Sequence, residues 1–272
     1  MKVLSHLWCA RIAVGVLALG ALSAHADEWS KTYTLSGKPS LKVGTSDASI
    51  RVTTWDQSTI EARVVTTRYK SGEGSIKIEE HQTGDSVDIE VRYPHHDFNL
   101  EWGNHRVEII VQMPREGNVD LSTGDGRIDL SGLKGQMVLH SGDGSEDLDG
   151  LDGQLRASTG DGHIRASGRF DDLDLKTGDG HLDVRALAGS TLSTAWRLET
   201  GDGHVSLEIP ASLSADLDLH TSDGHIDLDM PVTTEGSIRG NEIHGKLNGG
   251  GNSLRIHTGD GSIHLIKGSG SV

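Results

Sequence analysis

The sequence predicts an all-β fold, a single-domain parallel β-solenoid with ~18-residue rungs and a less regular N-terminal β region. Three observations predict it. Gly-Asp-Gly begins at Gly124, Gly142, Gly160 and Gly178, 18 residues apart three times running. A polar–apolar alternation precedes and follows the copies, which is the period of a strand with one buried face. No stretch beyond the first 26 residues has helical spacing.

The chain opens on Lys2 and Arg11, an apolar run from Ile12 to Leu22, and Ser23-Ala24-His25-Ala26. A basic start, a short apolar centre and a small-x-small end read as a signal peptide over residues 1–26, cleaved after Ala26. The run is short for a membrane span, and no transmembrane segment is expected in the mature chain. The single cysteine, Cys9, falls inside this leader, so no disulfide is expected beyond it.

The remaining 246 residues (272 minus 26) hold 23 Lys+Arg (25 less Lys2 and Arg11) against 40 Asp+Glu, a net charge of −17. That balance repels nucleic acid and anionic lipid, so neither is an expected partner. With 36 glycines and only 4% aromatic residues, the chain cannot fill one thick core. It can fill a thin one, repeated many times.

Residues 27–113 read as the first rungs and a cap. Ser46-Asp47-Ala48 is a weakened copy of the repeated turn, ahead of the alternating Ser49-Ile50-Arg51-Val52. Ile60, Ala62 and Val64 share one face, Pro94 to Gly103 reads as a loop, and Arg106 to Met113 is a strand stopped by Pro114. Residues 114–268 form the regular repeat, and 269–272 a flexible tail.

Within the repeat, Thr-Gly-Asp-Gly occurs at Thr123, Thr159, Thr177, Thr200 and Thr258, with near copies at Ser141 and Thr221. The step widens to 23 at Gly201, to 21 at Ser222 and to 37 at Gly259; the last reads as two rungs with one degenerate turn. Glycine is expected there for positive φ, Asp for Asx-type bonds to its own loop, and Thr or Ser for weaker ones. Ile128, Ile164, Leu182, Val205, Ile226 and Ile263 follow the turns at one inward position, where Glu146 marks an irregular rung. A hairpin meander also fits locally. The constant rung favours parallel stacking, with each residue above its earlier copy.

Stacking would align Asp125, Asp143, Asp161, Asp179, Asp202 and Asp223 about 4.8 Å apart, where neighbouring carboxylates repel by ~0.9 kcal/mol in water. Loop amides, imidazolium or bound cations would offset that. His163, His181, His204 and His225 make a second, outward column. Asp125, Asp161, Asp179, Asp202, Asp223 and the four histidines are therefore the candidate metal ligands, oxygen for calcium and imidazole for zinc or copper. The nine-residue Gly-Gly-x-Gly-x-Asp period of calcium-binding rolls is absent. A linear column also converges poorly on one zinc. No Ser-His-Asp spacing, phosphate loop or paired-carboxylate motif stands apart from the repeat, so no catalytic residue and no cofactor is named. Trp29, Trp55, Trp102 and Trp196 are candidates to stack on sugars or to plug the ends of a thin core.

The stretches "LKVGTSDASIRVTTWDQSTIEARV", "VEIIVQMP" and "VDLSTGDGRIDLSGLKGQ", with "LEIPASLSADLDLHTSDGHIDLDMP", resemble the bacterial putative adhesin family over about residues 32–266. The resemblance implies an exported β-solenoid with a non-enzymatic surface or periplasmic role. The expected function is an adhesin-like binding or structural module displaying repetitive polar faces, with an envelope glycan or surface protein as partner. The alternative is a calcium- or zinc-binding repeat protein, or a carbohydrate-active β-helix enzyme.

Overall fold

The computed structural model describes residues 28–67, 76–92, 106–234 and 240–268. The expected signal peptide, the loop from Pro94 to Gly103 and the tail after 268 lie outside them. The described chain is all β. Its 21 strands are β1 (Glu28–Thr34), β2 (Ser40–Thr45), β3 (Ser49–Trp55), β4 (Thr59–Thr67), β5 (Lys77–Thr83), β6 (Ser86–Arg92) and β7 (Arg106–Pro114); then β8 (Glu116–Thr123), β9 (Ile128–Ser131), β10 (Lys134–Ser141), β11 (Glu146–Thr159), β12 (Ile164–Thr177), β13 (Leu182–Ala186) and β14 (Trp196–Thr200); and finally β15 (Val205–Ile209), β16 (Ala215–Thr221), β17 (Ile226–Leu228), β18 (Thr233–Thr234), β19 (Glu242–Leu247), β20 (Ser253–Thr258) and β21 (Ile263–Lys267). Among them no helix is long and apolar enough to cross a membrane.

Pairing is mixed. Through the repeat it is parallel with an 18-residue offset: Gln136 lies beside Asn118 and Gln154 beside Gln136. The pre-turn strands β8, β10, the second half of β11 and the second half of β12 form one ladder. The post-turn strands β9, the first halves of β11 and β12, then β13 and β15 form the other. Antiparallel strands finish the ends: β1 on β4, β4 on β7 and β5 on β6 at one, β19 on β16 and β18 on β19 at the other. Uniform parallel pairing was the expectation. A hairpin at each end instead turns a row of free backbone groups into an edge of short, separately paired strands.

The rungs do not follow chain order. β2 lies between β6 and β8, and β3 between β7 and β9, so residues 40–55 sit one rung inside the N-terminal end. Likewise β20 lies between β14 and β16, and β21 between β15 and β17. The 37-residue step to Gly259 is therefore not two stacked rungs. β18 and β19 pair antiparallel, β19 also pairs antiparallel with β16, and β20 then takes the inner position.

The alternation buries one residue in two. Ile50, Ile128, Glu146, Ile164, Leu182, Val205 and Ile263 succeed one another in a single inward file. Opposite them run files such as Leu121, Leu139, Ala157, Leu175, Leu198 and Ile256. Trp196 is fully buried in this core, which removes it as a sugar platform, and Trp102 lies outside the described residues. Glu146 is 0% exposed with neither carboxylate oxygen hydrogen-bonded, and burial alone pushes its carboxyl up to about 8.

Candidate functional site

The repeated turn is the most regular surface feature, and its chemistry is structural. Each buried threonine hydroxyl reaches into the previous rung. Thr177 Oγ1 donates to the Gly162 carbonyl at 2.9 Å and accepts the Gly180 amide at 3.1 Å. Thr123, Thr159, Thr200, Thr258 and Thr221 bond in the same way. Ser141 reaches the same place less closely, 3.3 Å from the Gly126 carbonyl.

The glycines are needed for a different reason from the one expected. None of the Gly-Asp-Gly glycines has positive φ. A Cβ on Gly144, Gly162, Gly180 or Gly203 would instead stand 1.7–2.1 Å from the carbonyl oxygen of the preceding rung. The first glycine of each turn bonds its equivalent, as in Gly178 N to Gly160 O at 2.5 Å. The Asx-type bond is also not what forms after Asp179: the Gly180 amide donates to Thr177 Oγ1 and the His181 amide to His163 Nδ1. Asp125, Asp161, Asp179, Asp202 and Asp223 all stand exposed at the turn tips.

The histidine column divides. His163 and His181 stack with ring centroids 4.7 Å apart and planes 6° from parallel; His181 and His204 follow at 3.9 Å, tilted 32°. The rings are half-buried, not freely solvated as expected. The backbone amide of His181 donates to His163 Nδ1 at 3.0 Å, and that of His204 to His181 Nδ1 at 3.2 Å. Both acceptor rings must therefore carry their proton on Nε2 when neutral. Burial, then the neighbouring His204 and His163, hold His181 below the usual imidazole range, with Asp183 opposing. His225 is not in this stack. Its place beside His204 is taken by Ser262, whose hydroxyl is 2.9 Å from His225 Nδ1.

The outward face of the post-turn ladder carries interleaved charge. Arg51 pairs with Glu108 at 2.8 Å and Asp129 at 3.6 Å. Arg127 pairs with Asp129 and Asp147. Arg165 lies between Asp147 and Asp183, at 3.7 and 3.8 Å, and Arg185 meets Glu208 at 3.4 Å. All of these side chains but Glu108 and Arg127 line an open groove running across the rungs. The two signs are mixed along the stack: Asp129 and Asp147 are direct neighbours, and Arg51, Arg127 and Arg165 stand against them.

At the C-terminal end of the same face, His225, Asp227 and His264 bring their ligand atoms within 4.8 Å of one another. Of these only His225 was singled out by the sequence. Asp227 and His264 occupy corresponding positions three residues past the Asp-Gly turns, but only the out-of-order rung makes them neighbours.

The match to the Toastrack DUF4097 family model spans residues 36–266, and the chain belongs to that family. No curated protein matches it. Among solved structures, it is similar to a protein of Clostridium sporogenes described as a "putative cell adhesion protein", 15% identical over 90% of this chain and 100% of that one, TM-score 0.45. It is also similar to a "putative adhesin" of Parabacteroides merdae, 8% identical over 88% and 96%, TM-score 0.41. A third, a "putative lipid binding protein" of Parabacteroides distasonis, is 12% identical over 89% and 98%, TM-score 0.32.

Proposed function

We propose that the protein is an exported β-solenoid of the cell envelope, at the cell surface or in the periplasm, acting as a non-enzymatic, adhesin-like binding or structural module. The rung-to-rung register of Arg165 between Asp147 and Asp183 carries this reading. Charges of both signs recur there at the ~4.8 Å strand spacing, on a face stiffened by parallel ladders on both sides. Such a face suits a partner that is itself repetitive and polar, an envelope glycan or another envelope protein. Membership of the family supports the reading, as does the leader pattern of residues 1–26.

Binding of the purified protein to isolated envelope polysaccharide and to envelope protein fractions tests it. The expected result is saturable binding that drops at least tenfold in the R51E/R165E/R185E variant while the melting temperature holds. Unchanged binding by that variant, or new reducing ends appearing in the polysaccharide, overturns it.

A further inference from the structure

The outer face at the C-terminal end gathers three metal-ligating side chains from two separate stretches of chain. β21 lies beside β17 with Asp227 opposite His264. His225 precedes Asp227 by two residues, on the same side of its strand. The Asp227 carboxylate is 3.2 Å from His225 Nε2 and 3.3 Å from His264 Nδ1. Two donors held 2.0–2.1 Å from a tetrahedral ion are about 3.3 Å apart. Both carboxylate–imidazole edges already have that length. The third lies within 4.8 Å, and all three side chains are partly or fully exposed, free to close it.

We infer that His225, Asp227 and His264 form a zinc-type divalent metal site. Two imidazoles and one carboxylate suit zinc, copper or nickel, whereas calcium takes an all-oxygen shell. Ser262 supplies the outer contact such sites need: its hydroxyl, at His225 Nδ1, turns the other ring nitrogen toward Asp227. Three protein ligands leave the fourth position to water or to a donor from a partner. The stacked rings of His163, His181 and His204 offer no equivalent, because the Nδ1 atoms of His163 and His181 are occupied by backbone amides.

The two rings stand on neighbouring rungs, one of them inserted out of order, so a bound ion would fasten that insertion. Calorimetric titration of the purified protein with zinc chloride at neutral pH, paired with melting curves, tests the site. One equivalent should bind and raise the melting temperature. Both effects should vanish in His264→Ala and in Asp227→Asn, and persist in His181→Ala. Cobalt(II) should give tetrahedral d–d bands that the first two variants lack. Strand circular dichroism of the metal-free variants identifies any that fail to fold. Ser262→Ala, which keeps all three ligands, should weaken binding several-fold and provides an independent reading. No uptake by the unaltered protein, one equivalent retained by both His225→Ala and His264→Ala, or loss equally in His181→Ala overturns the assignment.

Discussion

Thr177 Oγ1 sits 2.9 Å from the carbonyl oxygen of Gly162, fifteen residues back in the chain and one rung away in space. Thr177 Oγ1 also accepts the amide of Gly180 in its own turn. One hydroxyl thus closes its turn and joins it to the rung before. Thr177→Val keeps the shape and removes both bonds, leaving a buried donor and acceptor without partners. The expected loss is about 1–3 kcal/mol, read by urea denaturation. Thr177→Ser should cost less, since Ser141 keeps the bond to the preceding rung, 3.3 Å from the Gly126 carbonyl.

Gly180 has no room for a side chain. A Cβ there would stand 1.8 Å from the Gly162 carbonyl oxygen, which is backbone and already bonded by the Thr177 hydroxyl. Gly180→Ala should cost upwards of about 4 kcal/mol in the same assay. Gly240, with nothing within 4 Å of its Cβ position, should accept alanine with little change.

Glu146 makes the core sensitive to alkali. Its folded-state value of about 8 lies above the ordinary 4.5, so the folded chain holds a proton that the unfolded chain releases. Stability is full below about pH 4.5, and it falls as pH rises through the window to 8, by ~1.4 kcal/mol per unit. Glu146→Ile, matching Ile128 and Ile164 on either side, should flatten that slope and raise stability most at alkaline pH. Melting temperatures across the pH range give the comparison.

His181 acts in the opposite sense. Its folded-state value is lowered, so below its ordinary 6.5 the unfolded chain takes up a proton first. Stability present above that point should decline as pH falls below it. His181→Gln should reduce the acid slope, measured by urea midpoints on either side of that point.

Cutting the chain after Asn252 should not merely trim an end. It removes the shared neighbour of β14 and β16 and of β15 and β17. The expected outcome of limited proteolysis is a protected core that ends near Ser190, with everything from Trp196 to Leu247 digested.

The all-β class, the turn positions and the inward files were legible because period-two alternation is local. Ile128, Ile164 and Leu182 announce their shared face within a few residues each. The cause of the turn glycines was not legible: positive φ and backbone crowding demand the same residue, and only the neighbouring rung at 1.7–2.1 Å distinguishes them. Threonine's part was underestimated for the same reason, since its main acceptor lies in another rung. Rung order depends on which edge a returning strand finds, and no local pattern encodes that. The cluster of His225, Asp227 and His264 was hidden with it. One signal was available: His225-Ile226-Asp227 and Ser262-Ile263-His264 present their outward residues at matching offsets from Asp-Gly.

The inward seating of residues 40–55 and 253–267 also governs the order in which the molecule can come together. A stack built in sequence could zip up as it emerges, each coil laid on a finished one. Here β16 and β17 are made before the coil that belongs beneath them, and must wait across an opening lined on both sides by unbonded strand backbone. Until β20 and β21 slide in, that opening accepts any extended segment of suitable pattern, including the same stretch from another copy. Completion of the fold is therefore a late, long-range event, and the interval before it is when the chain is most exposed to strand exchange.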